Sequence, residues 1–437
     1  MQLYTPFIER IESSFKERSA IPSEAPDRTE SDTLLRGETA SDALRDLIPI
    51  EALRSMGSFF TSSGMAEDLW GDTLLTLDES SVVVDPACGA GDLLIPAVRR
   101  LADVGQSNSI SSQIRGIDLQ TGFVRAAKAR LRLSALVNDS TNEANSFEQI
   151  EQKDFFQSYK EVLNGATHVV LNPPFITVDA PADCTWGARG INAAALFFDL
   201  CLSTVSPGCR IMAILPEVLR SGTRYSRWRS LVESRSETIK ITSLGQFDSE
   251  TDIDVFKIEV TVRIPAQTPD LEVPTHDAWQ PALALFSVSK GKIGDYFDVK
   301  VGPVVPHRHP DEGAPIPFLT ARGLPSWTVV DSIDTTRGFN GRMHEGPFVV
   351  LRRTSRPGEI HRARATTIAI TGKVAVENHL IVLSPFDNRL DTCIKLMNML
   401  KAKEVTEYLD HRIKCRHLTV GAIRDIAWIE DGEYKDD

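Results

Sequence analysis

The chain has 437 residues, 42% of them apolar, and a formal net charge of −12. That length and apolar content exclude a disordered chain or a single small module and suit two domains with additional helix. Its six cysteines contain no Cys-x-x-Cys pair, which argues against a disulfide or zinc framework. The absence of a signal-like start or a long apolar run points to a reducing cytoplasm and no membrane.

Residues 3–17 read as an amphipathic helix, with Phe7, Ile11 and Phe15 on one face, residues 18–40 as a polar linker and residues 41–54 as a second helix. From 57 to about 265, strand and helix patterns alternate. Strands are expected near 82–85, 114–117, 167–171, 209–215, 238–243 and 255–263, and helices near 92–103, 121–136, 192–205 and 224–234. Such alternation predicts an α/β fold: a doubly wound, mostly parallel, Rossmann-like sheet with helices on both faces. Residues 264–282 are polar and contain proline, so they read as a linker. The expected organisation is therefore an N-terminal segment 1–55, a catalytic α/β domain 56–265 and a separate C-terminal α+β domain 283–430.

Three turns at expected strand ends carry the chemistry. Val82-Val83-Val84-Asp85 leads into Pro86-Ala87-Cys88-Gly89-Ala90-Gly91-Asp92 and then an apolar helix. Gly89 and Gly91 let backbone pass close to a ligand. Leu94 stands where a dinucleotide fingerprint needs its third glycine, and the carboxylates of Asp85 and Asp92 suit a cationic ligand better than a pyrophosphate. Ile114 to Asp118 reads as the second strand, ending in an acid able to take two ribose hydroxyls. His168 to Leu171 reads as a buried strand running into Asn172-Pro173-Pro174-Phe175. Here the Asn172 side-chain oxygen and the Pro173 carbonyl can both accept from a planar primary amine. The two prolines stiffen the turn, and Phe175 offers a face for a base.

The quartet Asn172–Phe175 resembles the catalytic motif of adenine-N6 amino-methyltransferases, and Asp85–Gly91 resembles motif I of S-adenosylmethionine-dependent DNA methyltransferases. Met56-Gly57-Ser58-Phe59-Phe60-Thr61-Ser62 resembles the Gly-x-Phe-Tyr/Phe-Thr-Pro segment that folds over the methionine part of the cofactor, with Ser62 in place of proline. Ser62 or Ser63 is then expected to cap a helix from Gly64 to Leu77. This motif order is that of the gamma class of adenine-N6 DNA methyltransferases of restriction-modification type.

The resemblance implies S-adenosylmethionine as cofactor, held by Phe60, Thr61, Asp85, Pro86, Ala87, Cys88, Gly89, Gly91, Asp118, Leu119, Asp154, Phe155 and Asn172, with no metal. Asp154 would accept from the cofactor's adenine amine, and Phe155 would pack on that ring. Asn172, Pro173, Pro174 and Phe175 would form the catalytic turn, and Phe247 would stack on the opposite face of a flipped adenine, sandwiching it with Phe175. Packing within a core is the competing reading for Phe247, and a helix cap for Asp154.

Charge is uneven. Residues 291–437 hold 21 Lys/Arg against 20 Asp/Glu, while the first 290 hold 27 against 40. Arg342, Arg352, Arg353, Arg356, Arg362, Arg364 and Lys373 read as a basic stripe of a DNA-recognition domain, with a solvated loop face as the alternative. Arg220, Arg224, Arg227 and Arg229 read either as a phosphate-holding cluster or as a salt-bridged surface helix. Arg224, Arg352 and Arg353 are the candidate DNA contacts.

The expected partner is double-stranded DNA, with a separate cognate restriction endonuclease as a further candidate. Three alternatives stand beside this reading: methylation of protein or RNA, a fused restriction-methylation enzyme, and a non-catalytic DNA-binding subunit. Glu433-Tyr434-Lys435 is the only nuclease-like Glu-x-Lys near the tail, and no segment is left for a nuclease domain. His411, Cys415 and His417 match no common metal spacing.

Overall fold

A computed structural model describes residues 9–10, 12–13, 61–104, 110–138, 146–247, 253–264, 279, 291–413 and 416–428. The expected helices at 3–17 and 41–54, the linkers around 18–40 and 264–282, and Phe60 lie largely or wholly outside these residues. The chain divides into two compact units, the second made of the stretch from Trp279 onward together with Ser221–Thr223.

In the first unit, α1 (Ser63–Trp70) starts where Ser62 accepts from the Met65 N–H at 3.3 Å. It stops short of the expected Leu77 because Gly71 takes a left-handed φ of 47°, and a 3-10 turn Gly71–Thr76 follows. The order then runs β1 (Val83–Asp85), α2 (Ile95–Asp103), α3 (Ile110–Gln113), β2 (Ile114–Asp118), α4 (Thr121–Asn138), β3 (Ile150–Gln152), α5 (Phe155–Val162) and β4 (His168–Leu171). A hairpin of β5 (Thr177–Asp179) and β6 (Gly190–Asn192) comes next, then α6 (Ala193–Thr204), β7 (Arg210–Pro216), α7 (Glu217–Ser221), α8 (Ser226–Arg235), β8 (Ser236–Gln246) and β9 (Asp254–Val262).

Seven strands form one sheet in the order β3-β2-β1-β4-β7-β9-β8. The pairs among β3, β2, β1, β4 and β7 are parallel, and β9 runs antiparallel to both its neighbours. Val83, Val84, Val169, Val170 and Leu171 are fully buried. Helices cover both faces, so the central strands read as unbroken apolar runs with no alternation. The chain leaves β1 toward β2 on one side and reaches β4 on the other. The carboxyl ends of β1 and β4 therefore flank a topological switch point, where doubly wound sheets open a crevice.

β3, α5 and the β5–β6 hairpin were not among the elements expected. Ile150-Glu151-Gln152 is three residues long and shows no alternation to read, and each hairpin strand is also three residues long. Helix α2 begins at Ile95, three residues later than expected, because the Leu94 and Ile95 N–H groups close a turn onto the Gly91 carbonyl.

The second unit is mixed α and β. One five-stranded sheet has the order β10 (Phe297–Val301), β18 (Leu380–Pro385), β15 (Phe348–Arg352), β16 (Ala365–Ile368) and β12 (Val329–Val330). A four-stranded sheet joins β13 (Thr336–Gly338), β11 (Pro315–Leu319), β17 (Lys373–Val376) and β14 (His344–Glu345). Its helices are α9 (Ile293–Tyr296), α10 (Leu390–Met399), α11 (Lys403–Arg412) and α12 (Val420–Arg424). Phe297, Leu351, Leu383, Leu396 and Leu409 belong to one buried cluster.

Candidate active site

The first wall of the site is the turn after β1. Gly89 and Gly91 have φ of 49° and 86°, conformations that L side chains rarely adopt. A Cβ on Gly91 would lie 3.3 Å from that of Ala127, so this glycine also lets α4 pack against the turn. Asp118, at the end of β2, ties the turn in place: one carboxylate oxygen accepts from the Gly89 N–H at 3.1 Å and the other from the Gln120 N–H at 2.8 Å.

Across the switch point, Asn172 follows β4 directly. Its side-chain N–H donates to the Thr61 hydroxyl at 3.0 Å, and Thr61 is buried. This bond orients the amide so that its oxygen is directed away from Thr61. Asp154 caps α5, accepting from the Phe156 N–H at 2.9 Å and the Gln157 side chain at 3.0 Å. Phe155 stacks on Phe197 of α6, with ring centroids 4.5 Å apart and planes 21° apart, while Phe156 meets Phe197 edge-on.

These groups surround one cavity of about 380 Å³, within the range of small-molecule sites. Of the residues expected to hold a cofactor, Thr61, Asp85, Pro86, Ala87, Cys88, Gly89, Asp118, Leu119, Asp154, Phe155 and Asn172 all line it, as does Pro174. Gly91, Pro173 and Phe175 are not in its lining. Gln120, Phe123, Phe156, Ile176, Val178 and Phe197 line it without having been singled out. Ala193 and Phe197 lie one helical turn apart on α6, a spacing legible in sequence, but only tertiary packing decides which helix face meets a cavity.

Carboxyl groups of Asp85, Asp92, Asp118 and Asp154 line the cavity. Asp85 is buried, and desolvation pushes its carboxyl up to about 8 against one N–H bond from Ala87, with Asp118 and Asp92 adding to the rise. Burial likewise raises the Asp118 carboxyl, and it holds the Cys88 thiol far from ionisation. Asp92 does not act as a second open carboxylate. It forms a buried ion pair with Arg130 at 2.7 Å, so its charge is already matched. Lys153 lines the cavity but is paired with Glu151 and with Glu161.

Phe175 and Phe247, expected to sandwich a flipped adenine, lie next to each other. Their rings stand at 87° with centroids 6.2 Å apart, and Phe247 is part of the buried cluster against which Phe175 packs. The arginine cluster resolves differently. Arg220 is buried against Glu217, and Arg229 is buried and donates to the Leu219 carbonyl at 2.9 Å, so neither offers itself to phosphate. Arg224 is exposed and donates to the Gly190 carbonyl.

In the second unit, the basic stripe is not one face. Arg362 is fully buried, holding the Leu409 carbonyl at 2.9 Å and Asp410 at 3.2 Å, and Arg364 is paired with Glu359. Arg352 and Arg353 are half-buried, the former donating to the Leu324 carbonyl at 2.8 Å. Arg342, Arg356 and Lys373 are exposed.

A glycine turn and an Asn-Pro-Pro-Phe turn thus face each other across one switch point, and the N-6 DNA Methylase family model matches residues 45–224, the stretch that contains both. No curated protein matches the chain. Among solved structures, the chain is similar to the type IIL restriction-modification enzyme MmeI in complex with DNA, with 11% identity, a TM-score of 0.53, and coverage of 91% of this chain and 72% of that one. That likeness is one of fold. The type IIG restriction endonuclease BpuSI matches with 14% identity and a TM-score of 0.43 over 92% of this chain. The type I restriction enzyme EcoKI M protein matches with 19% identity and a TM-score of 0.37 over 58%. The chain spans 62% of the BpuSI chain and 54% of the EcoKI M protein. No described helix is long and apolar enough to cross a membrane.

Proposed function

We propose that the chain is a site-specific DNA methyltransferase that transfers a methyl group from S-adenosylmethionine to the N6 amine of an adenine flipped out of duplex DNA, within a restriction-modification system. The observation that carries this reading is that Asn172 and the Asp85–Gly89 turn line a single cavity at the switch point of a sheet whose sequence matches an N-6 DNA methylase. The cavity's volume, its glycine turn, its acidic lining and the Phe155–Phe197 pair all fit a cationic adenosyl cofactor.

When bound, the cofactor supplies an electrophilic sulfonium methyl. Asp118 would take the ribose hydroxyls, its carboxylate oxygens having lone pairs beyond the two N–H bonds they accept. Asp85 would face the cationic methionine part, and Asp154 with Phe155 would hold the cofactor's adenine. Asn172 and the Pro173 carbonyl would accept from the target amine, drawing its lone pair out of ring conjugation. Phe175 would lie along the base, its edge contact to Phe247 keeping it from swinging away. Base extrusion costs roughly a few kcal/mol, and most of the rate would come from positioning. The second unit would supply DNA contacts, with exposed Arg342, Arg356 and Lys373 the best placed and the half-buried Arg352 and Arg353 secondary.

The test is transfer of tritiated methyl from S-adenosylmethionine to duplex DNA, with RNA and protein as parallel substrates. Wild type should label duplex DNA. Asn172→Ala should lower transfer by about a hundred- to thousandfold, far more than it lowers cofactor affinity measured by calorimetry. Label on protein or RNA alone, or loss of cofactor binding in Asn172→Ala, would overturn the assignment.

A further inference from the structure

The hairpin β5–β6 follows the Asn172–Phe175 turn and supplies one wall of the cavity through Ile176 and Val178. Its strands pair over only three positions, Thr177 with Asn192, Val178 with Ile191 and Asp179 with Gly190. A two-stranded ribbon this short is marginal by itself, so its position depends on what grips it. β6 then runs straight into α6, which carries Ala193 and Phe197 of the same cavity. Asn192 sits at that junction, its side chain capping α6 by accepting from the Ala194 N–H at 2.9 Å.

The 3-10 turn Thr223–Tyr225, which lies between α7 and α8, grips this junction twice. The Arg224 guanidinium donates to the Gly190 carbonyl and, at 3.4 Å, to that of Ala188. The Tyr225 hydroxyl accepts from the Asn192 N–H at 3.1 Å, and the Tyr225 ring lies 6.4 Å from that of Trp186, the buried residue of the hairpin's connecting loop. Trp186 is anchored in turn by donating to Asp199 at 2.7 Å. The hairpin's other end is tied by the Ala193 N–H donating to the Ile176 carbonyl at 2.8 Å.

We infer that Arg224 and Tyr225 form a latch that holds the β5–β6 hairpin against the cavity, which makes Arg224 a positioning residue for cofactor binding and not a phosphate ligand. This rests on the reading of the cavity as a cofactor site. A guanidinium committed to two carbonyls of a cavity wall would have to abandon them to turn toward a phosphate. Loosening the hairpin would move Val178 on one strand and, through Asn192, the start of α6.

The test uses the full chain with Arg224→Ala, Arg224→Lys and Tyr225→Phe. Hydrogen–deuterium exchange across residues 177–192, measured without cofactor, should quicken in Arg224→Ala and in Tyr225→Phe. S-adenosylmethionine affinity by calorimetry should fall about five- to tenfold in both, the loss expected from one or two hydrogen bonds, and should partly recover in Arg224→Lys, which keeps a donor. The salt dependence of DNA binding should not change. Unchanged hairpin exchange and cofactor affinity in Arg224→Ala, with DNA binding weakened and its salt slope shallower by about one, would make Arg224 a phosphate ligand and overturn the latch. If wild type binds no S-adenosylmethionine, the cofactor assignment fails, and the exchange measurement still decides whether Arg224 holds the hairpin.

Discussion

At Asp85, folding and ligand binding pull in opposite directions. The folded chain buries its carboxyl beside two other acids and raises its pKa from about 3.8 to about 8. The folded state therefore holds this proton more tightly than the unfolded chain. The group's contribution to stability is greatest below the unfolded value and declines as pH rises toward the folded one. A cationic ligand next to Asp85 favours the carboxylate, so binding should expel the proton. S-adenosylmethionine affinity should thus rise between pH 6 and 8, by at most about tenfold per unit, and level off above. Calorimetry in buffers of different ionisation heat should register proton release. Asp85→Asn should flatten the profile, weaken cofactor binding, and raise stability in a urea melt at pH 8 relative to wild type more than at pH 5. A profile that falls with pH would remove Asp85 from the cationic end of the cavity.

At the scale of elements, the strand–turn–helix unit from β1 to α2 depends on one backbone position more than on any contact. Gly91 combines a φ of 86° with van der Waals contact to α4 through Ala127, and its carbonyl receives both the Leu94 and Ile95 N–H groups. An alanine there is strained by its conformation and by the 3.3 Å approach of Ala127 together. Gly91→Ala should cost about 1–3 kcal/mol in a denaturant melt and weaken cofactor binding as the turn shifts. Gly122→Ala, with no atom within 4 Å of the new Cβ, is the control that should change neither. The elements that were legible in sequence share a property with this unit. β1, β4 and β7 are apolar runs buried on both faces, and Asn192 announces α6 with a polar cap. β3 and the hairpin strands are too short to hold a pattern, and their pairing partners, not their own composition, make them strands.

At the scale of the whole molecule, charge separates the two units in sequence but does not by itself say which cations are available. The nearly balanced tail contains Arg362 sealed within its unit and Arg364 paired with Glu359, beside exposed Arg356 and Lys373. If the second unit contacts DNA through its exposed cations, affinity should fall steeply with salt while S-adenosylmethionine affinity hardly moves. Each of Arg342→Ala, Arg356→Ala and Lys373→Ala that removes a phosphate contact should make the log-log salt slope shallower by about one. Fluorescence anisotropy of labelled duplex over 50–300 mM salt measures this. A slope untouched by all three together would place the DNA contacts elsewhere.

The sequence by itself determined the turns: a strand that ends in Asp85 and must pass through Gly89 and Gly91, and another that ends in Asn172 and two prolines. Local sterics between adjacent residues suffice for those, while the resemblance named the cofactor residues, most of which line the cavity. Tertiary structure alone decided what each side chain meets. Thr61 orients Asn172 across 111 positions of chain, Arg130 matches Asp92, Phe247 turns its edge to Phe175, and Arg224 closes on a backbone carbonyl. Burial and partners are set by residues far away along the chain. Neither the charge of Asp85 nor the role of any one arginine could be read until the fold had brought those residues together.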